Sequence, residues 1–330
     1  MSNQTEKIDL LPIEVDGEWG YINKKMEIVI EPMYDWADNF QEGLATVDID
    51  FKKGFINKEG EFVINPRFDY TEGFYDGFAL VSVFEGEKPK WGFVNKKGEY
   101  INKSRYHDAY PFYEGLAAVC IGEKWGYINK EGEFVIKPQF DEVKVFCEGL
   151  AGVEIDDKWG IIDKGGKYVI KPQFDDIRTF FGGPAPAKID DKWGYINKEG
   201  EFVIEPQFDR AECFSEGLAA VAIDDKWGYI NKEGDLVISP QFSFSSSFSE
   251  DLAAVKIDGK WGYINKEGIL VIDPRHVCGA KFYDGLAQVH FIDASGYIDK
   301  EGKLYIWKKN KLTDTPQLLI FQSIGNFLKE

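Results

Sequence analysis

Apolar and polar positions along this chain change over within a few residues, in the rhythm of short strands. In residues 193–197, Trp193, Tyr195 and Asn197 share one face of an extended segment, and Gly194 and Ile196 the other. Gly194 has no side chain, so another backbone or ring can approach there. Asn197-Lys198-Glu199-Gly200 comes next, with Asn at the first position of a type I turn and a left-handed Gly at the fourth, the signature of a hairpin with a G1 bulge. Phe202, Val203 and Ile204 are consecutive and apolar, so the pattern predicts a second strand covered on both faces, ended by Pro206. A connector with Phe208 and Phe214 leads to a third strand over 218–223. That strand enters the next W-G segment through a two-residue turn, Asp224-Asp225 here and Asp258-Gly259 one unit on. Three short strands, linked as a meander, are therefore expected from about 34 residues.

The same pattern returns along the chain. The W-G glycine or its counterpart stands at 20, 54, 92, 126, 160, 194, 228, 262 and 296, with steps of 34, 38 and then 34 throughout. The longer step comes from an insertion near 85–90. Nine units of fixed period signal a repeat array, in which stacked neighbours bury what one unit cannot. The sequence predicts an all-β fold of nine repeats, elongated or superhelical, with a closed β-propeller-like ring as the alternative. Three strands in 34 residues is short for a propeller blade, and nine units is many for one ring.

The segments W-G-[YFI]-[IV]-[ND]-K-x-G, V-I-x-P-x-[FY] and F-x-[ED]-G-L-A-x-V recur in register, and on them the chain resembles the WG-repeat (KWG-repeat) family, widespread in bacteria. The resemblance spans roughly residues 13–307. It implies β-rich repeats and, for the most part, no established activity. The departures are Lys53 and Ser295 at the Trp position, Met26 at the turn glycine, and Pro184 in the G-L-A stretch.

The division expected is an N-terminal lead (1–12), nine repeats (13–307), and a C-terminal linker with a short capping helix (308–330). For that helix, Thr315 offers a cap with Pro316 at the first position. Ile320, Ile324, Phe327 and Leu328 then share one helical face. A lid over the open end of the array is the expected role, with docking of a partner as the alternative.

The net charge of −18 repels phosphate backbones, which argues against nucleic-acid binding. The N-terminal residues lack the pattern of a secretory signal, and no apolar run is long enough to span a membrane. Cys120, Cys147, Cys213 and Cys278 lie far apart without a C-x-x-C pair, which fits a reducing cytoplasm and argues against a zinc site.

Candidate chemistry is sparse. The W-G tryptophans at 19, 91, 125, 159, 193, 227 and 261 could stack sugars, although a Trp on a strict period is more simply core. Phe40, Phe74, Phe112, Phe146, Phe180, Phe214, Phe248 and Phe282 read as plugs beneath the connectors. A lysine follows the turn Asn or Asp in all nine units, from Lys24 to Lys300. Such a row could hold an acidic partner, although exposed turn charges are normally solvated. The Asp-Asp pairs lack the spacing of a calcium loop. His107, His276 and His290 have no metal-ligand spacing, and His276 occupies an aromatic slot. No catalytic residue, cofactor site or metal site is expected. The third unit breaks pattern: Ser104 replaces the usual proline, and Arg105, Tyr106, His107, Tyr110 and Tyr113 gather as candidate binding residues. The expectation is a non-catalytic scaffold for an unidentified protein partner. The alternative is a glycan or small-ligand module using exposed aromatics. Strand edges could also pair with another chain.

Overall fold

The computed structural model describes residues 10–101, 106–274, 279–290, 295–309 and 315–321. Among these, every regular element is a strand, and the strands form nine antiparallel sheets in chain order. We number these blades one to nine: 10–34, 36–68, 70–95, 108–140, 142–174, 176–208, 210–242, 244–272 and 286–321. Two compact units are present, one of residues 1–156 with 162–168 and one of 157–161 with 169–330, dividing within blade five.

Blade seven shows how the sequence makes each sheet. Its strands are Arg210–Ala211, Ala219–Ile223, Lys226–Ile230 and Leu236–Phe242, hydrogen-bonded in that order. The G-L-A strand pairs with the W-G strand from Ala219↔Ile230 to Ile223↔Lys226. Asp224 and Asp225 turn between them with φ of 50° and 58°. Both values are left-handed, as a type I′ hairpin requires, and aspartate tolerates them. The Asn-Lys-Glu-Gly turn also forms as expected. In blade six Gly200 N–H donates to the Asn197 carbonyl at 3.1 Å, and Asn197 Oδ1 accepts the Glu199 and Glu201 N–H groups.

The connector supplies what the three-strand expectation lacked. Its residues 210–211 add a fourth, two-residue strand, so each of blades two and four to eight is a four-stranded meander. Four antiparallel strands per repeat is the blade of a β-propeller, so the propeller-like alternative is the one that these sheets fit. Two further expectations are corrected. Pro206 does not end the second strand but lies inside Phe202–Phe208, and of the apolar run only Ile204 is fully buried. This strand is last in its sheet, so one edge has no neighbour and its proline leaves no ladder hydrogen bond broken. The register shifts between Trp193↔Phe208 and Tyr195↔Ile204. The bulge there brings backbone over Gly194, where a Cβ would lie 2.5 Å from the Ile204 carbonyl oxygen and 2.8 Å from Pro206 N. The W-G glycine is thus required by close backbone approach.

The core lies between successive blades. Tyr195 of blade six packs on Phe214 of the next connector, ring centroids 5.0 Å apart, within a cluster holding Trp193, Ile204, Phe208, Ala219, Val221 and Ile230. Its hydroxyl donates to the Glu212 carbonyl at 2.9 Å, which satisfies that polar atom within the apolar cluster. Tyr21–Phe40, Phe55–Phe74, Phe93–Phe112, Tyr127–Phe146, Tyr229–Phe248 and Tyr263–Phe282 repeat this pair at 4.8–4.9 Å. Tilted and edge-to-face pairs of this kind add about 0.5–1.5 kcal/mol beyond their burial.

The insertion near 85–90 extends one hairpin: Phe78–Glu85 and Lys88–Asn95 pair along their full length. At the other end of the chain, Pro316–Phe321 is not the start of a helix. It is a strand antiparallel to Leu304–Lys309, from Leu304↔Phe321 to Lys309↔Pro316. Leu304–Lys309 would otherwise leave its edge open, and pairing satisfies a row of backbone groups that a helix would not. The rest of the expected helix lies outside the described residues.

Candidate functional site

The recurring polar residues converge where one blade meets the next. In blade four, Glu114 follows Tyr113 at a left-handed φ of 51°, which turns its carboxylate toward blade five. There Glu114 Oε2 accepts the Gly149 N–H at 2.9 Å and meets Lys164 Nζ at 3.1 Å. Lys164 also donates to the Glu114 carbonyl at 2.8 Å. Burial alone would raise the Glu114 carboxyl, but Lys164 and the Gly149 N–H outweigh it and hold the group below the ordinary glutamate value.

The arrangement recurs. Glu42 takes Gly77 N–H and Lys96, Asp76 takes Gly115 N–H and Lys130, and Glu216 takes the Glu250 and Asp251 N–H groups and Lys266. Glu250 takes the Asp284 and Gly285 N–H groups and Lys300. Five of the nine turn lysines are therefore bound to the acid of the preceding blade, which corrects the expectation of a solvated row. Sequence reasoning missed these acids. The signal was the equal regularity of the F-x-[ED]-G acid and of the turn lysine.

A second set of carboxylates fastens the opposite turns. Asp209, just after the last strand of blade six, takes Lys192 of its own W-G strand at 2.5 Å and the Asp224 N–H of the next blade at 2.8 Å. Asp69, Asp141 and Asp175 make the same two contacts in their blades. In all four, the lysine hydrogen bond holds the carboxyl below the usual aspartate value. The Asp-Asp turns are hairpin turns, and among the described residues no His, Cys, Asp or Glu group has the arrangement of a metal site.

The expected third-unit cluster is distributed among separate neighbours. Tyr106 is fully buried and pairs with Phe93. His107 stands in the position of Asp141, and its Nδ1 accepts the Gly122 N–H at 3.0 Å. Tyr110 stacks on Trp125 at 4.9 Å, with its hydroxyl 3.3 Å from Glu142. Burial and the nearby Glu142 charge push Tyr110 up to about 12. Tyr113 is partly exposed beside Tyr75, 5.4 Å away. Arg105, Ser104 and His276 lie outside the described residues.

Of the W-G tryptophans, Trp125, Trp159, Trp193 and Trp227 are buried and Trp19, Trp91 and Trp261 half-buried, as a core role requires. The exposed apolar positions lie elsewhere. Val29, Val63, Val135, Val169, Val203, Val237 and Val271, one on the last strand of each of seven blades, are between 43% and 48% exposed.

These W-G segments agree with known repeats in sequence. The model of the WG containing repeat matches residues 19–50, 54–83, 91–125, 125–159, 159–193, 193–227 and 227–261. The chain belongs to the WG-repeat family. No curated protein matches this WG-repeat chain in sequence. Among solved structures, it is similar to one titled "Crystal structure of the eukaryotic initiation factor", at 10% identity and a TM-score of 0.64, covering 96% of this chain and 97% of the other. At that identity the likeness is one of fold. Looser likenesses are to Kluyveromyces lactis Hsv2 (10% identity, TM-score 0.38, 85% of this chain and 94% of that one) and to apo AztD from Citrobacter koseri (12%, 0.39, 85% and 92%).

Proposed function

We propose that this WG-repeat protein is a non-catalytic scaffold that holds a protein partner against the exposed last strands of its blades. The observation that carries the reading is the valine repeated at one place on seven of those strands, half exposed each time. Phe62, Phe134, Leu236 and Leu270 beside it are also exposed. Exposed apolar surface at fixed positions marks an interaction face, whereas scattered single residues need no function. The recurring carboxylates are already committed between blades, which leaves these strands as the most regular outward feature. A protein partner fits the net charge of −18 better than a nucleic acid does. Among the described residues, the thiols of Cys120 and Cys213 form no disulfide, in keeping with a reducing cytoplasm.

The test is a pull-down from lysate of the source cell with intact bait beside bait carrying Val135→Asp, Val203→Asp and Val237→Asp. The reading expects a protein retained by the first and lost by the second, with both baits folded. Equal retention by both moves the partner off these strands. A second reading, a small-ligand or glycan module, draws on the paired rings of Tyr75 and Tyr113. It expects sugar-induced changes in tyrosine fluorescence that Tyr113→Ala removes.

A further inference from the structure

The junction between blades six and seven, which lies within the second compact unit, departs from the others. At the position of Glu114 and Glu216 it carries Gly182, and at the position of Ser215 it carries Phe181. At five other junctions the acid binds a lysine and one or two turn N–H groups of the following blade. Here the following blade still presents the donors, namely Lys232 and the N–H groups of Glu216 and Gly217. Among the described residues none of these three has an ion-pair or hydrogen-bond partner, and all three residues are exposed. The stem of Lys232 rests on the neighbouring loop: a Cβ on Gly183 would lie 3.2 Å from Lys232 Cε.

The glycines also shape the place. Gly182 has a left-handed φ of 69°, and a Cβ there would lie 2.6 Å from the Phe214 carbonyl oxygen. The loop has closed onto Phe214 in a way that no side-chain-bearing residue allows. Phe214 loses a partner too. Ser215 and Ser249 each donate a hydroxyl to the Phe carbonyl one blade on, at 2.8 and 2.6 Å, whereas Phe181 has no hydroxyl and is 52% exposed.

We propose that this junction is a binding site for a carboxylate supplied from outside the chain. Lys232 Nζ pairs with one oxygen, the Gly217 and Glu216 N–H groups donate to the carboxylate, and Phe181 gives apolar surface beside it. Five other junctions show this donor type holding a carboxylate, so the chemistry of recognition is written in the same molecule. A neutral ligand would leave the cation unmatched, and charge-assisted hydrogen bonds are the stronger class. The carboxylate comes either from a free small acid or from an acidic side chain of a polypeptide.

The test is a titration of glycine-¹⁵N-labelled full-length protein, following the Gly217 amide. Sodium acetate is one arm and a glutamate residue capped at both ends is the other, each against sodium chloride at equal ionic strength. A saturable Gly217 shift with a dissociation constant on the order of millimolar, absent with chloride, is expected. Lys232→Met weakens it by about tenfold or more, whereas Lys164→Met, which breaks a junction already holding its own acid, leaves it unchanged. Lys232 has no partner to lose, so its variant keeps the rest of the spectrum. Gly182→Glu, if it folds, moves the Gly217 amide without added ligand and blocks the response. Tighter binding of the capped glutamate than of acetate assigns the site to a polypeptide side chain, and the reverse assigns it to a free acid. No saturable shift in either arm up to about 100 mM, or a shift that Lys232→Met leaves intact, overturns the proposal.

Discussion

Glu114 and Lys164 stand 50 positions apart in the chain and 3.1 Å apart in space, and the carboxylate between them also receives the Gly149 N–H. One side chain thus joins two blades through a charge and a backbone donor together. Both partners are more than a third exposed, so the ion pair itself is worth only about 0.5 kcal/mol. Removing the acceptor from Gly149 adds to that. We expect Glu114→Ala to destabilise by about 1 kcal/mol. A double-mutant cycle with Lys164→Ala in urea should return a coupling of about 0.5 kcal/mol; additive losses would show that the pair contributes nothing.

The W-G glycine makes a harsher test. Gly194→Ala places a methyl 2.5 Å from the Ile204 carbonyl oxygen and 2.8 Å from Pro206 N, both of them backbone atoms that cannot rotate away. A loss of about 1–3 kcal/mol is expected, with the blade-six edge strand displaced. Gly217→Ala meets no atom within 4 Å, so its cost comes from its φ of +89° alone. Thermal unfolding of the two variants side by side separates crowding from backbone strain.

His107 marks a place where the repeat can be restored. Its Nδ1 takes the Gly122 N–H as an aspartate does elsewhere, but a ring nitrogen that accepts cannot also pair with a cation. Lys90, which corresponds to Lys124, has no ion pair among the described residues. His107→Asp should engage both groups and stabilise by roughly 0.5 kcal/mol, read as a higher midpoint in urea. An unchanged midpoint would show that the histidine already supplies all the junction needs.

Acid and alkali should act through the second set of carboxylates. Asp69, Asp141, Asp175 and Asp209 are held low, first by the lysine hydrogen bond and, at all but Asp175, next by the turn N–H. A carboxyl lowered by folding stabilises above its unfolded value, about 3.9, and that contribution is lost as pH falls through the folded value. Lys124, Lys158 and Lys192 are raised by the same bonds. Their contribution is present below the unfolded lysine value, about 10.4, and is lost as pH rises through the folded ones. The melting temperature should therefore change little through neutrality and fall on both sides. Changing Asp69, Asp175 and Asp209 together to Asn should flatten the acid side; an unaltered acid limb would assign it to other groups.

Local features were legible in the sequence. The Asn197–Gly200 turn, the Asp224-Asp225 hairpin and the close approach at Gly194 each depend on neighbours within about a dozen residues. The misses share a non-local cause. Arg210–Ala211 is a strand of two residues, too short to carry a period, and becomes one only because Ala222 and Val221 lie beside it. The exposure of Val203 comes from its strand being last in the sheet, which a run of apolar residues does not reveal. Ile320 has helical spacing with Ile324, Phe327 and Leu328, yet the free edge of Leu304–Lys309 draws Pro316–Phe321 into a strand. The acid–lysine junctions were visible as two regular series but not as partners, since pairing joins residues of different units.

At five junctions a unit carries an acid on the side that meets its successor, and the successor carries the matching lysine and N–H groups. Such units are thereby plug and socket of one gauge. A gene that gains or loses a whole 34-residue copy changes the number of links without altering the fitting between them. Such a chain can change length in a single genetic step, and its odd links, such as the one bearing Gly182, are free to take up separate work.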